Sequence, residues 1–154
     1  ATLVRAWLKN ARADGANFAK IEAYRSDFSN ASANGVSFAN AELQRAEFAG
    51  AQLKDADFQK AELGRADFDK AVLTGANFSF ANLSRATLNG AVIDGPTSFG
   101  AAFMYLTRIE GVDLSKASGL QQAQVNLACG DNTTILPSWL KAPSGWPCPP
   151  DDKD

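Results

Sequence analysis

Apolar residues recur at every fifth position of this chain, and nearly all of them follow an alanine placed two residues earlier. From residue 41 the pairs run Ala41/Leu43, Ala46/Phe48, Ala51/Leu53, Ala56/Phe58, Ala61/Leu63, Ala66/Phe68, Ala71/Leu73, Ala76/Phe78, Ala81/Leu83, Ala86/Leu88 and Ala91/Ile93. A step of five rotates a helical residue by about 140° and sends a strand residue to the opposite face, so neither element keeps this apolar set together. The pattern predicts a backbone that turns once per repeat. A second period says how many turns complete a lap. Arg5, Arg25, Arg45, Arg65 and Arg85 recur at twenty residues, as do Gly15, Gly35, Gly75 and Gly95, with Asp55 interrupting the glycines. Phe18, Phe38, Phe58 and Phe78 form one column at that spacing, and Phe28, Phe48, Phe68 and Leu88 another. Four repeats therefore make one coil, and stacking places equivalent residues about 4.8 Å apart along the axis.

These residues resemble the pentapeptide repeat family, whose pattern is A-(D/N)-L/F-x-x, and the likeness spans residues 1–114. The resemblance implies an all-β fold, a right-handed quadrilateral β-helix, and implies no one activity. The expected interior holds Phe18, Phe28, Phe38, Phe48, Phe58, Phe68 and Phe78 with Leu43, Leu53, Leu63, Leu73 and Leu83, because alternating Phe and Leu in a four-sided coil puts rings on two opposite faces. Before residue 41, Ala13, Ala23 and Ala33 take central positions while Ile21 and Val36 replace alanine, an exchange that preserves interior volume. Phe99 follows Ile93 by six residues, so one extra residue loops out near Gly95-Pro96. The 23 central positions amount to nearly six coils, about 28 Å of axis.

Beyond residue 117 the period is lost, which divides the chain into a solenoid over 1–117, a capping helix over 118–130 and a tail over 131–154. Ser118 with Gln121 reads as a capping box, Leu120, Ala123 and Leu127 share a helical face, and Gly130 supplies a stop. The tail carries prolines with Trp139 and Trp146, and is expected to pack on the solenoid. Val72, Phe80 and Val92, which point outward, are its expected berth, with a partner site as the alternative. The run Cys129-Gly130-Asp131, Leu136-Pro137, Leu140, Pro143 and Trp146 resembles the ending of many bacterial members of the family, which implies a bacterial source.

Charge and composition then remove several function classes. Formal net charge is −2, and the last four residues alone contribute that excess. A balanced solenoid suits neither a nucleic-acid-binding surface nor an acidic DNA mimic. The chain has no histidine, no phosphate-cradling loop and no nucleophile elbow, so no catalytic, cofactor or metal residues are assigned. Asp55/Asp57 and Asp67/Asp69 are read as solvated charges. The arginine column is flanked by Asp27, Glu47 and Asp67 on one side and Glu22, Glu42 and Glu62 on the other, which predicts a neutralised structural ladder. Cys129 and Cys148 are either a disulfide of an oxidising compartment or two thiols of a cytosolic protein. The chain starts within a repeat, so an upstream segment is expected, and a periplasmic or secreted location is favoured over a cytoplasmic one. The function expected is that of a non-enzymatic structural or protein-interaction module with an unknown protein partner. It inserts into no membrane, binds no nucleic acid, and forms any homodimer through its N-terminal coil. The alternative implied by the resemblance is a DNA-mimic regulator of a type II topoisomerase such as gyrase, although members of that kind are markedly acidic.

Overall fold

A computed structural model describes residues 1–150. Within one repeat the chain makes a tight turn: Ala46 N donates to Leu43 O at 3.0 Å, with Arg45 between them at φ 59°. Positive φ at only the third of four turn residues is the type II form. The same turn recurs with Asn30, Lys60, Phe80 or glycine in the third place.

Coils then lock through parallel bridges such as Glu22, Glu42 and Glu62 in succession. Leu43 N donates to Glu62 O at 2.8 Å, Glu62 N to Ala41 O at 2.9 Å, and Arg45 N to Gly64 O at 2.8 Å. The amide after each central residue is left over, and side chains take it. Asp27, Asp57, Asp67, Asn77 and Asn82 each accept from the amide two residues on, at 2.8–3.0 Å. Elsewhere the coil below serves: Asp14 accepts from Asn34 N at 2.7 Å and Asn34 from Lys54 N at 2.9 Å. This is the physical reason that Asp and Asn so often precede the central residue.

Four faces result, with central residues headed by Leu3, Leu8, Ala13 and Phe18 and called first to fourth below. Phe28 to Phe78 and the five leucines from Leu43 to Leu83 are fully buried. Phe18 differs from expectation. It belongs to the first described coil and is only partly buried. Rings of the second and fourth faces stack within their columns, as Phe48 on Phe68 at 5.0 Å, and meet edge to face across the interior, as Phe58 with Phe68 at 5.4 Å. Ser26, Thr97 and Thr107 occupy interior alanine positions, and each hydroxyl donates to a backbone carbonyl at 2.6–2.7 Å.

The C-terminal end corrects the expected boundaries. The helix α1 is Gln122–Leu127, shorter than 118–130. Ser118 is still bridged to Ser98, and Gly119 sits in the left-handed region at φ 73°, so the helix cannot begin there. At the other end Cys129 rejoins the ladder beside Arg108, and Ile135 bridges Asp113. The box forms one turn later than expected: Gln124 Oε1 accepts from Gln121 N, while its Nε2 donates to Phe99 O and Ala102 O and ties the cap to the last coil. The tail crosses the end of the solenoid, with Leu136, Leu140 and Trp146 against the core. It leaves Phe80 and Val92 exposed, contrary to the expected berth, because it is held at the end by Gln122–Lys141 hydrogen bonds and by Arg108 donating to Pro149 O. The part of the expected tail at residues 151–154 lies outside the described residues.

Candidate functional site

The arginine and carboxylate columns named from the sequence lie on the solenoid surface, where the turns set their spacing. Arg5, Arg25, Arg45, Arg65 and Arg85 occupy one corner, each in the left-handed region at φ 54–59°. Four of them line a shallow groove of about 500 Å³ together with Glu47 and Asp67. On the second face Asp27, Glu47 and Asp67 bridge in succession. Partial burial, with the charges of Asp27 and Asp67 on either side, pushes the Glu47 carboxyl above its ordinary range. Burial and the neighbouring Asp67 push Asp69 up as well. Burial also works on Asp27, but hydrogen bonds from Ser29 and the charge of Lys9 outweigh it and hold that carboxyl low.

What these carboxylates do chemically is cap the chain. Asp57 and Asp67 each spend an oxygen on a backbone amide, and Asp69 Oδ1 accepts from Asn89 N at 3.0 Å. Among the described residues no group of three or more His, Cys, Asp or Glu is set to hold a metal ion, and no helix is long and apolar enough to cross a membrane. Cys129 and Cys148 form a disulfide with Cα atoms 5.6 Å apart. It fastens the tail beside Trp146, whose indole donates to Ala128 O at 2.8 Å. Arg108, nearly buried, pairs with Glu110 at 3.1 Å under the same tail.

One region breaks the columns. On the first face the position before the central residue runs Thr2, Glu22, Glu42, Glu62, Asn82 and then Phe103. The position after it passes from Gln44, Gly64 and Ser84 to Tyr105, and the adjoining corner from Lys20, Asn40 and Lys60 to Phe80. Phe80 is 61% exposed, Phe103 50% and Tyr105 42%. The Phe103 and Tyr105 rings lie nearly parallel, 14° apart with centroids at 6.3 Å, and the Arg85 guanidinium sits 5.8 Å from the Tyr105 ring centre. Leu127 of α1 is exposed directly above, where its carbonyl accepts from Leu106 N. Sequence reasoning found Phe80 but missed Phe103 and Tyr105. The residue added near Gly95 shifts their column spacing from twenty to twenty-one, and a count at twenty-one would have found them.

Residues 24–59 and 51–90 match the pentapeptide repeats family in eight copies. A pentapeptide repeat protein of the Arabidopsis thaliana thylakoid lumen is 31% identical in solved structure comparison, over 70% of this chain and 76% of that one, with a TM-score of 0.63. The chain belongs to the pentapeptide repeat family. Pentapeptide repeat proteins fold as right-handed quadrilateral β-helices, and the four-faced ladder is of that architecture. Full-length QnrB1, a plasmid-mediated fluoroquinolone resistance protein, has a TM-score of 0.55 at 15% identity over 90% of this chain and 80% of its own, a likeness of fold. No curated protein matches the chain.

Proposed function

We propose that this pentapeptide repeat protein is a non-enzymatic protein-interaction module whose ladders are scaffold and whose first face does the binding. The observation that carries the reading is the change of three adjacent columns from polar to aromatic at Phe80, Phe103 and Tyr105. Rings in the interior stack for stability, whereas these three lie outside it and add nothing to the core. Exposed aromatic residues gathered on a flat face mark docking sites. The family supports the reading, since its members are generally structural or interaction modules. The charge balance of the solenoid speaks against a DNA mimic acting on gyrase, and the QnrB1 likeness supports only the fold.

We place the module in an extracytoplasmic compartment, on the support of its disulfide and its likeness to a lumenal protein. A photoreactive phenylalanine analogue at position 80, and separately at Gln59 on the fourth face, tests the docking assignment in extract of the source organism. A discrete protein adduct from position 80 and none from position 59 is expected. Equal labelling from both positions would refute a dedicated first-face site.

A further inference from the structure

A second candidate site lies at the C-terminal end of the stack, on residues that the docking assignment does not use. Asp131, Asn132, Ala142, Pro143, Trp146 and Pro147 line a cleft of about 480 Å³, within the roughly 300–1,000 Å³ of small-molecule sites. One wall is the turn that follows Cys129, and the other is the returning tail that leads into Cys148. The disulfide between these cysteines, with Cα atoms 5.6 Å apart, clasps the two walls together. Each wall is also pinned to the solenoid. Thr134 Oγ1 accepts from Asp131 N at 3.1 Å and donates to Ile109 O at 2.9 Å, and Thr133 Oγ1 accepts from Gly111 N at 2.8 Å. Across the cleft the Trp146 indole donates to Ala128 O, and its six-membered ring packs on Gly130, where an added Cβ would come 2.6 Å from it. A cleft whose walls are fixed in advance loses little freedom when it binds.

The lining is rich in apolar surface and poor in donors. Pro143 and Pro147 have no N–H, Asp131 N is taken by Thr134, and Trp146 N donates to Pro143 O at 3.3 Å. The indole N–H is engaged by Ala128 O, so Trp146 gives the cleft apolar and π surface. Among the described lining residues the charge belongs to Asp131. Thr133 donates to Asp131 Oδ1 from both its hydroxyl and its N–H, the latter at 2.8 Å, and these bonds hold the carboxyl below its ordinary range. Arg108, which reaches the same tail at Pro149 O, is paired with Glu110 at 3.1 Å. An anion would meet repulsion from Asp131, and a sugar would find few donors for its hydroxyl oxygens. A cation with an apolar surface meets an aromatic ring, proline and alanine carbons and a carboxylate together.

We propose that this cleft binds a small quaternary ammonium compound. Its N-methyl groups pack on Trp146, Pro143, Pro147 and Ala142, and Asp131 balances its charge. A primary ammonium would need an acceptor for each of its N–H donors, and Asp131 Oδ1 already accepts both hydrogen bonds from Thr133. Methyl groups ask for no acceptor and gain from apolar and aromatic contact.

The test titrates the intact, oxidised protein, carrying isotope-labelled tryptophan, with choline chloride against equal sodium chloride. Nuclear magnetic resonance reads the indole N–H signals of Trp7, Trp139 and Trp146. The Trp146 signal should shift saturably while the other two stay in place. Neohexyl alcohol, the uncharged carbon isostere of choline, should bind at least about tenfold more weakly. Asp131→Asn keeps an oxygen to accept from Thr133 but removes the charge, and should weaken choline about tenfold with little loss of melting temperature. Asn132→Asp, which adds a second carboxylate to the lining, should tighten choline several-fold. Reduction of Cys129–Cys148 with thiol blocking should weaken it several-fold as the walls part. A chain ending at Pro150 should bind as the parent does. Equal affinity for neohexyl alcohol, or unchanged choline affinity in Asp131→Asn, would refute a cation as the ligand. Saturation by methyl glucoside in place of choline would overturn it in favour of a sugar. No saturable change at Trp146, equal shifts at Trp7 and Trp139, or loss of binding by the chain ending at Pro150 would refute the cleft as the site.

Discussion

Removing one ring from the middle of the solenoid probes how the interior carries stability. Phe58 is fully buried. It lies parallel to Phe38 at 5.5 Å and to Phe78 at 5.1 Å, and edge-on to Phe48 at 5.6 Å and Phe68 at 5.4 Å. Phe58→Ala therefore removes one member of four ring pairs and leaves a hole that the neighbouring coils cannot close. Those coils are held at fixed spacing by Phe58 N to Asn77 O and Asn77 N to Ala56 O, at 2.8 and 2.9 Å. A buried Phe→Ala change costs about 3–5 kcal/mol, and limited collapse puts this site in the upper half of that range. At roughly 2–4 °C per kcal/mol for a chain of this size, the melting temperature should fall by about 10–15 °C. Phe58→Leu keeps most of the volume and should cost only about 1–1.5 kcal/mol. Phe18→Ala, at a partly buried position with ring contacts only to Phe28 and Phe38, should cost less than Phe58→Ala. Thermal unfolding followed by circular dichroism, with urea midpoints as a check, measures all three. A Phe58→Ala protein melting within a degree or two of the parent, or no lower than Phe18→Ala, would refute the reasoning.

Three further outcomes follow from local geometry. At Gly119, φ is 73° and an added Cβ would come 2.7 Å from Gly100 N and 2.8 Å from Gly100 Cα. Gly119→Ala should therefore destabilise well beyond Gly35→Ala, which meets nothing within 4 Å and costs only the left-handed strain of about 1–2 kcal/mol. Burial and like charges raise Glu47 and Asp69 in the folded state above their ordinary 4.5 and 3.8, so the folded chain binds more protons and gains stability as pH falls from neutral toward those values. Asp27, Asp113 and Asp131 are held low, so stability is lost again as pH falls below 3.8. Glu47→Gln should raise the melting temperature at neutral pH and flatten the gain above 4.5; a steady decline in melting temperature from neutral pH down to about 5 would contradict this. Reducing Cys129–Cys148, which closes a loop of 19 residues, should cost about 3 kcal/mol and shift Trp146 emission as the tail loosens. Unchanged emission and melting after complete thiol labelling would show that the tail is held by other contacts.

The interior was legible in the chain because an integer period makes columns visible. Phe58 and Leu63 could be placed inward from spacing alone, and the Ala23/Ile21 exchange from volume. The left-handed corners were legible only where glycine stands. Arg45 and Gly35 hold equivalent backbone conformations, but arginine carries no sequence sign of one. The cap was misjudged because Ser118 and Gln121 satisfy a local helix rule, while the ladder bond from Ser98 and the close approach of Gly119 to Gly100 are contacts made a full lap apart. The tail was misplaced for a similar reason. Val92 offered an apolar surface, but Arg108 and Gln122 fix the tail by hydrogen bonds at the end of the stack. The exposed aromatic patch was half hidden, since one added residue moved Phe103 and Tyr105 out of step with the columns they replace.

A solenoid contains its own comparison for every surface residue, because the coils above and below show what the same backbone position tolerates. The position of Phe103 is served by Glu62, that of Tyr105 by Gln44, and the corner of Phe80 by Lys60, all with the ladder intact. The fold therefore asks nothing aromatic of these three positions. Rings there keep apolar surface in water without adding a contact to the core. Selection for stability alone would not place three such departures side by side. Their coincidence on one face is what an external partner would produce. An aromatic at an inward position of the same coils would carry no such meaning.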